Sequence, residues 1–121
     1  MSKQNCRMAA VQMVSGPRVV DNLLAAGCLV EAAVAQGAQM VALPEYFPII
    51  GATDADRVRA CEDFGRGQVQ DWLAATAQRH NIWLFAGSIP LTAANPEKMR
   101  NSSLVYNPAG ECVQRYDKMH L

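Results

Sequence analysis

Two ionisable residues draw attention through what precedes them. In "MVALPEYFP", residues 40–48, an apolar run reaches Pro44 and then presents Glu45, followed by Tyr46, Phe47 and Pro48. Desolvating a carboxylate is expensive unless it is paired or hydrogen-bonded. Glu45 is therefore either a solvated turn residue or a group that something nearby in the fold needs. In "RYDKMHL", residues 115–121, Lys118 comes just after another strand-like stretch. Taken alone, it reads as a charged strand edge that discourages aggregation. Both lie past the ends of predicted strands, where ligands and catalytic groups collect in open α/β sheets.

The other candidates are weaker. His80 and His120 are the only histidines, and neither has the closely spaced His or carboxylate neighbours that a metal site wants. His80 ends a helical pattern, which suits an exposed cap. "FGRGQVQ", residues 64–70, offers one G-x-G but puts Gln70 where a dinucleotide fingerprint needs its third glycine. There is no Walker or G-x-S-x-G motif. Cys6, Cys28, Cys61 and Cys112 are widely spaced with no C-x-x-C pair, so they read as free thiols of a reducing cytoplasm. Cys28 falls within a helical pattern and is expected to act as a small buried hydrophobe. "NSS", residues 101–103, is an N-x-S sequon without meaning in a cytoplasmic chain.

The elements that must position Glu45 and Lys118 follow from the hydrophobic pattern. "CRMAAVQMV", roughly residues 6–14, reads as a first strand buried on both faces. "VVDNLLAAGCLVEAAVAQG" predicts a helix to about Gln36, closed by Gly37 at C′, with Leu24, Cys28 and Val34 beside Ala25, Leu29 and Ala32 as its apolar stripe. "AQMVALP" is a second strand, and the β-α-β spacing implies two parallel strands joined by a right-handed crossover. Residues 49–66 read as loop with a short helical piece near 56–62. A second long helix is expected from about Gly67 to His80, with Val69, Trp72, Leu73, Ala75 and Ala77 on its apolar face. "NIWLFAGSIP" is a third strand ended by Pro90, and "LTAANPEKMR" a polar connection. A hairpin follows, with strands Ser103–Tyr106 and Cys112–Asp117 around the turn "NPAG". The order βαβαββ indicates an α/β class with an antiparallel element late in the chain.

Composition narrows the field. The chain has 121 residues, half of them hydrophobic, which suits one globular domain. Lys plus Arg and Asp plus Glu number eleven each, and no basic stripe exists, which argues against a nucleic-acid partner. No apolar run approaches the roughly 20 residues of a membrane span. Polar residues interrupt any signal-peptide core in "MSKQNCRMAA". A cytoplasmic location is expected.

Taken together, "LVEAAVAQGAQMVALPEYF" and "NSSLVYNPAGECVQRYDKMHL" resemble the glutamate and lysine motifs of the nitrilase-like carbon–nitrogen hydrolases, and "AAVQM" is similar to that family's first strand. The details look closest to the branch of deaminated glutathione amidases and ω-amidases. The resemblance runs over essentially the whole chain. It implies the N-terminal part of an α-β-β-α sandwich, with residues 1–121 forming a partial domain cut before the nucleophilic cysteine. It also implies a Glu-Lys-Cys triad in which Glu45 is the general base and Lys118 its cationic partner. A cysteine nucleophile needs a base to take its proton. Pro44, Tyr46 and Phe47 would hold and screen that carboxylate, and desolvation would raise its basicity. A fixed ammonium would stabilise the oxyanion formed on an amide carbonyl. None of the four cysteines sits in the nucleophile's context, and the family's second glutamate is also missing. The implied parent enzyme hydrolyses a small carboxylate-bearing amide without metal or organic cofactor and forms homo-oligomers. The 121 residues alone would be inactive.

Two alternatives stand beside this reading. One is a non-catalytic α/β binding or regulatory fragment. The other is a cysteine hydrolase similar to isochorismatases, which carry an acid after the first strand. Here that strand ends "QMVSGPR", without one.

Overall fold

A computed structural model describes residues 5–51, 53–95 and 98–118. The elements run β1 (Met8–Ala10), α1 (Val19–Ala35), β2 (Met40–Ala42), α2 (Asp54–Arg59), α3 (Gln68–His80), β3 (Trp83–Thr92), β4 (Met99–Tyr106) and β5 (Cys112–Asp117). The order βαβαββ is thus one strand and one short helix too few. The five strands form one sheet in sequence order. β1 and β2 are parallel, as the β-α-β spacing predicts; β3 is parallel to β2, and β4 and β5 continue antiparallel.

Both long helices pack on the same face of this sheet. Leu23, Ala26 and Val30 of α1 and Val69, Leu73 and Ala77 of α3 join Val41, Leu84, Ala86, Leu104 and Tyr106 in one buried cluster. The opposite face carries Met8, Trp83 and Tyr116, all exposed. β1 is therefore a three-residue edge strand open on one side, not a nine-residue strand buried on both faces.

The α1 boundaries agree with expectation, and Gly37 takes the left-handed conformation (φ 92°) that its C′ position requires. The apolar stripe does not agree. Leu24, Ala25, Cys28, Leu29 and Ala32 face outward, and Asn22, Leu23, Ala26 and Val30 face in. The helix is apolar nearly all round, so periodicity alone does not choose a face. Asn22 does: its amide donates to the carbonyls of Gly16 and Pro48 at 2.8 Å each, and its Oδ1 accepts from Gly16 N at 2.9 Å. Those three bonds fix the helix's rotation, and Cys28 becomes exposed.

On α3, Ala75 is exposed, while Gln70 and Thr76 are buried. His80 is half-buried with its Nε2 enclosed, not an exposed cap. Pro90 does not end β3, which continues to Thr92. Its carbonyl accepts from Glu62 N at 3.3 Å on the side away from β4. Its missing N–H would point the same way, so the ladder to β4 loses nothing. β4 accordingly starts at Met99, four residues before the expected Ser103.

The hairpin turn falls as expected. Asn107 Oδ1 accepts from Ala109 N at 3.0 Å and Glu111 N at 2.9 Å, and Gly110 takes φ 82°. The resulting register sets Ser102 opposite Asp117 and so delivers Lys118 beside Asn101.

Candidate active site

β2 and β5 run in the same direction, since β5 is antiparallel to β4 and β4 to β3. Their C-terminal ends therefore share one edge of the sheet, and Glu45 and Lys118 both lie there. Three strand spacings still separate β2 from β5, roughly 14 Å. The segment after β2 closes part of that gap by stepping across β3. The crossing occurs at a register shift between Ala86 and Ile89. Leu43 N donates to Phe85 O at 2.8 Å, and Tyr46 N lies 3.1 Å from Ser88 O and 3.0 Å from Ser88 Oγ. Gly87 makes the approach possible, because a Cβ there would stand 2.3 Å from Leu43 O and 2.5 Å from Pro44 C. No side chain fits at that distance.

Across the remaining space, Lys118 Nζ donates to Glu45 Oε1, joining residues 73 apart in sequence. The lysine side chain is 23% exposed and the glutamate side chain 66%. Pro44 precedes the carboxylate, but Phe47 does not screen it. Phe47 is fully buried against Trp72, with ring centroids 6.0 Å apart. The collar read from the sequence is thus open toward Glu45 among the described residues.

The rest of the corner is held by polar bonds that the sequence did not advertise. Tyr46 sits at φ 56°, a left-handed conformation uncommon outside glycine. Its hydroxyl accepts from Asn101 Nδ2. The main-chain carbonyl of Asn101 accepts from Lys118 N at 2.8 Å. Ser103 Oγ donates to Gly87 O, and Ser102 Oγ donates to Asp117 Oδ1. Bonds from Arg115 and Ser102 hold the Asp117 carboxyl below the usual carboxylate range. Asn101, Ser102 and Ser88 are fully buried. The tripeptide read as an inert sequon is therefore part of the framework around Lys118. On the other side, Ser15 Oγ donates to Phe47 O at 2.7 Å, and Ile50 N to Gly16 O at 2.8 Å, tying the loop after Glu45 to the loop before α1.

The thiols lie elsewhere. Cys6 precedes β1 and Cys112 opens β5, both at the end of the sheet opposite Glu45. Cys28 is on the outer side of α1. Cys61 Sγ donates to Arg57 O at 3.5 Å, and burial pushes its thiol pKa up. Among the described residues, no cluster of His, Cys, Asp or Glu is placed to hold a metal ion. His120, in the "Lys-x-His-Leu" end of the lysine motif, lies outside the described residues. No described helix is long and apolar enough to cross a membrane.

A strand-end carboxylate is thus paired with an ammonium from a second strand end, at one end of a mixed sheet. The model of the carbon-nitrogen hydrolase family matches residues 7–121, and the chain belongs to that family. It is 33% identical over 114 residues to a deaminated glutathione amidase of Synechocystis sp., covering 93% of this chain and 41% of that protein. It is 34% identical over 115 residues to the omega-amidase NIT2 of Danio rerio, covering 95% of this chain and 40% of that one. These relatives fall in the branch that the sequence resembles. The chain spans about two fifths of their length.

Among solved structures, the C. elegans NitFhit protein superposes with a TM-score of 0.82 at 27% identity, over 94% of this chain and 28% of that one. XC1258 of Xanthomonas campestris, a CN-hydrolase superfamily protein with an arsenic adduct in its active site, gives 0.81 at 27% identity, over 98% and 42%. The α/β fold expected from the pattern is the fold of these proteins.

Proposed function

We propose that the complete protein is an amidase of the carbon–nitrogen hydrolase family, cleaving the C–N bond of a small carboxylate-bearing amide through a Glu-Lys-Cys mechanism. The observation that carries this reading is the Glu45–Lys118 pair, formed where the C-terminal ends of β2 and β5 share one end of the mixed sheet. In it, Glu45 removes the proton of a cysteine supplied by sequence beyond the 121 residues. The thiolate attacks the amide carbonyl, and the Lys118 ammonium stabilises the oxyanion that develops. The protonated Glu45 then gives its proton to the departing ammonia. As a base again, it activates the water that cleaves the thioester. The names of the relatives support the substrate class, since deaminated glutathione amidase and omega-amidase both denote amide hydrolases. On the same reading, the 121 residues alone turn over no amide, and the complete protein is a homo-oligomer in the cytoplasm.

The test is kcat for Lys118→Met in the complete protein, with folding checked by circular dichroism. Loss of an oxyanion donor costs on the order of 10²–10³ in kcat. The apolar stem is kept, so packing changes little. A folded variant within a few-fold of the parent would return Lys118 to the role of an edge charge.

A further inference from the structure

Glu45 and Lys118 are joined twice. The first link is their ion pair. The second runs from Glu45 through its peptide bond to Tyr46, from the Tyr46 hydroxyl to Asn101 Nδ2, along Asn101 to its main-chain carbonyl, and from there to Lys118 N. Covalent and hydrogen bonds thus close a ring with the two charged groups on one side and Asn101 on the other. Asn101 is the only residue of the ring that bonds to both partner segments without belonging to either.

Two observations show that this second link is built and not incidental. Asn101 is fully buried in β4, so its amide is not competing with solvent. Tyr46 holds a positive φ while its N–H is tied to Ser88, and this backbone turns its ring toward β4. Strained backbone persists where the surroundings over-determine it, as they do here.

From this we infer that Asn101 is a positioning residue, which with the Tyr46 hydroxyl sets the separation of the Glu45 carboxylate and the Lys118 ammonium. The inference rests on the proposed function, because it assigns a role relative to those two groups. An ion pair between a 66%-exposed carboxylate and a lysine has little geometric rigidity of its own. Directional bonds to a buried amide supply it.

The experiment uses the complete protein, with Tyr46→Phe, Asn101→Ala and the double variant assayed beside Lys118→Met. Loss of amidase activity in Lys118→Met establishes the catalytic pair first. Retention there sinks the proposed function by itself, whatever the other variants do. With the pair established, Tyr46→Phe should lower kcat on the order of tenfold to 100-fold through misplacement, with KM little changed. Normalised to the folded fraction by circular dichroism, kcat should stay low in both single variants while KM holds, a split that mere loss of folded protein does not produce. Both variants break one link, so the double variant should lose no more than the worse single. Where Asn101→Ala folds poorly, Tyr46→Phe, which removes a single oxygen, decides alone. Parent-like kcat in folded Tyr46→Phe, or additive losses in the double variant, overturn the inference and leave the proposed function standing.

Discussion

Along β3, Leu84 and Ala86 point into the cluster formed with Val41, Leu104, Leu73 and Ala77, all nearly inaccessible to solvent. Immediately after Ala86, within the register shift, the same strand offers Gly87 and Ser88 to the segment that carries Glu45. The first half is held by apolar contact, which has no preferred direction and tolerates small rearrangements. The Gly87–Ser88 stretch, before Ile89 and Leu91 return to the apolar cluster, is held by hydrogen bonds with fixed partners, to Tyr46, Ser103 and, through β4, to Asn101 and Lys118. Stability is therefore expected to reside in the helix-covered centre and alignment in the corner. Substitutions can separate the two.

The largest effect is expected from Glu45→Gln. It keeps shape and hydrogen-bonding capacity but removes the base, so kcat should fall about 10²–10⁴-fold. The melting temperature should stay close to that of the parent, because the side chain is mostly exposed. Near-normal hydrolysis would make Glu45 a turn residue. The opposite separation is expected from Leu84→Ala, which opens a cavity at a fully buried site. It should cost about 2–5 kcal/mol of stability in urea unfolding, while kcat per folded molecule changes little. A large loss of kcat in folded Leu84→Ala would show that centre and corner are not separable.

Gly87→Ala lies on the boundary. Its Cβ would collide with Leu43 O and Pro44, so both the strand and the crossing segment must shift. Overpacking of this kind costs roughly 1–3 kcal/mol. Here kcat should fall along with stability, since the displaced segment carries Glu45. An alanine variant with parent-like kcat and melting temperature would deny the close approach.

The smallest effect concerns Asp117, bonded to Arg115 at 2.8 Å and to Ser102. Its folded pKa lies below the ordinary value, so its contribution is present above the ordinary carboxylate pKa and is lost as pH falls through the depressed folded value. Asp117→Asn should lower the melting temperature slightly at neutral pH, by less than about 1 kcal/mol in stability. The gap should begin to narrow below roughly pH 4 and close once pH falls below the depressed folded value. A gap that persists in acid would assign the effect to packing, not charge.

How much of this could be read beforehand depends on range along the chain. The spans of α1 and α3, the Gly37 cap, the "NPAG" turn and the parallel β1–β2 pair are legible because each depends on residues within a turn or two, or on one crossover length. The strand-end positions of Glu45 and Lys118 were legible because each comes within three residues of a strand's last residue. The rotation of α1 was not, since a helix apolar on all sides leaves the choice to Asn22 and its partners at Gly16 and Pro48. Nor was the burial of Asn101 and Ser102, polar residues that look solvated until β3, β5 and Tyr46 surround them.

The sequence by itself determined the α/β class, the family and two strand-end charges. Backbone propensity, side-chain period and motif spacing are local properties, written in the order of residues. Only the tertiary structure decided that the two charges meet, that Gly87 lets one segment cross another, and that an asparagine from a third strand ties both ends together. Those outcomes require atoms 55 and 73 residues apart to come within a hydrogen bond's reach. Strand order and register set such distances, and neither is written in any short stretch of the chain.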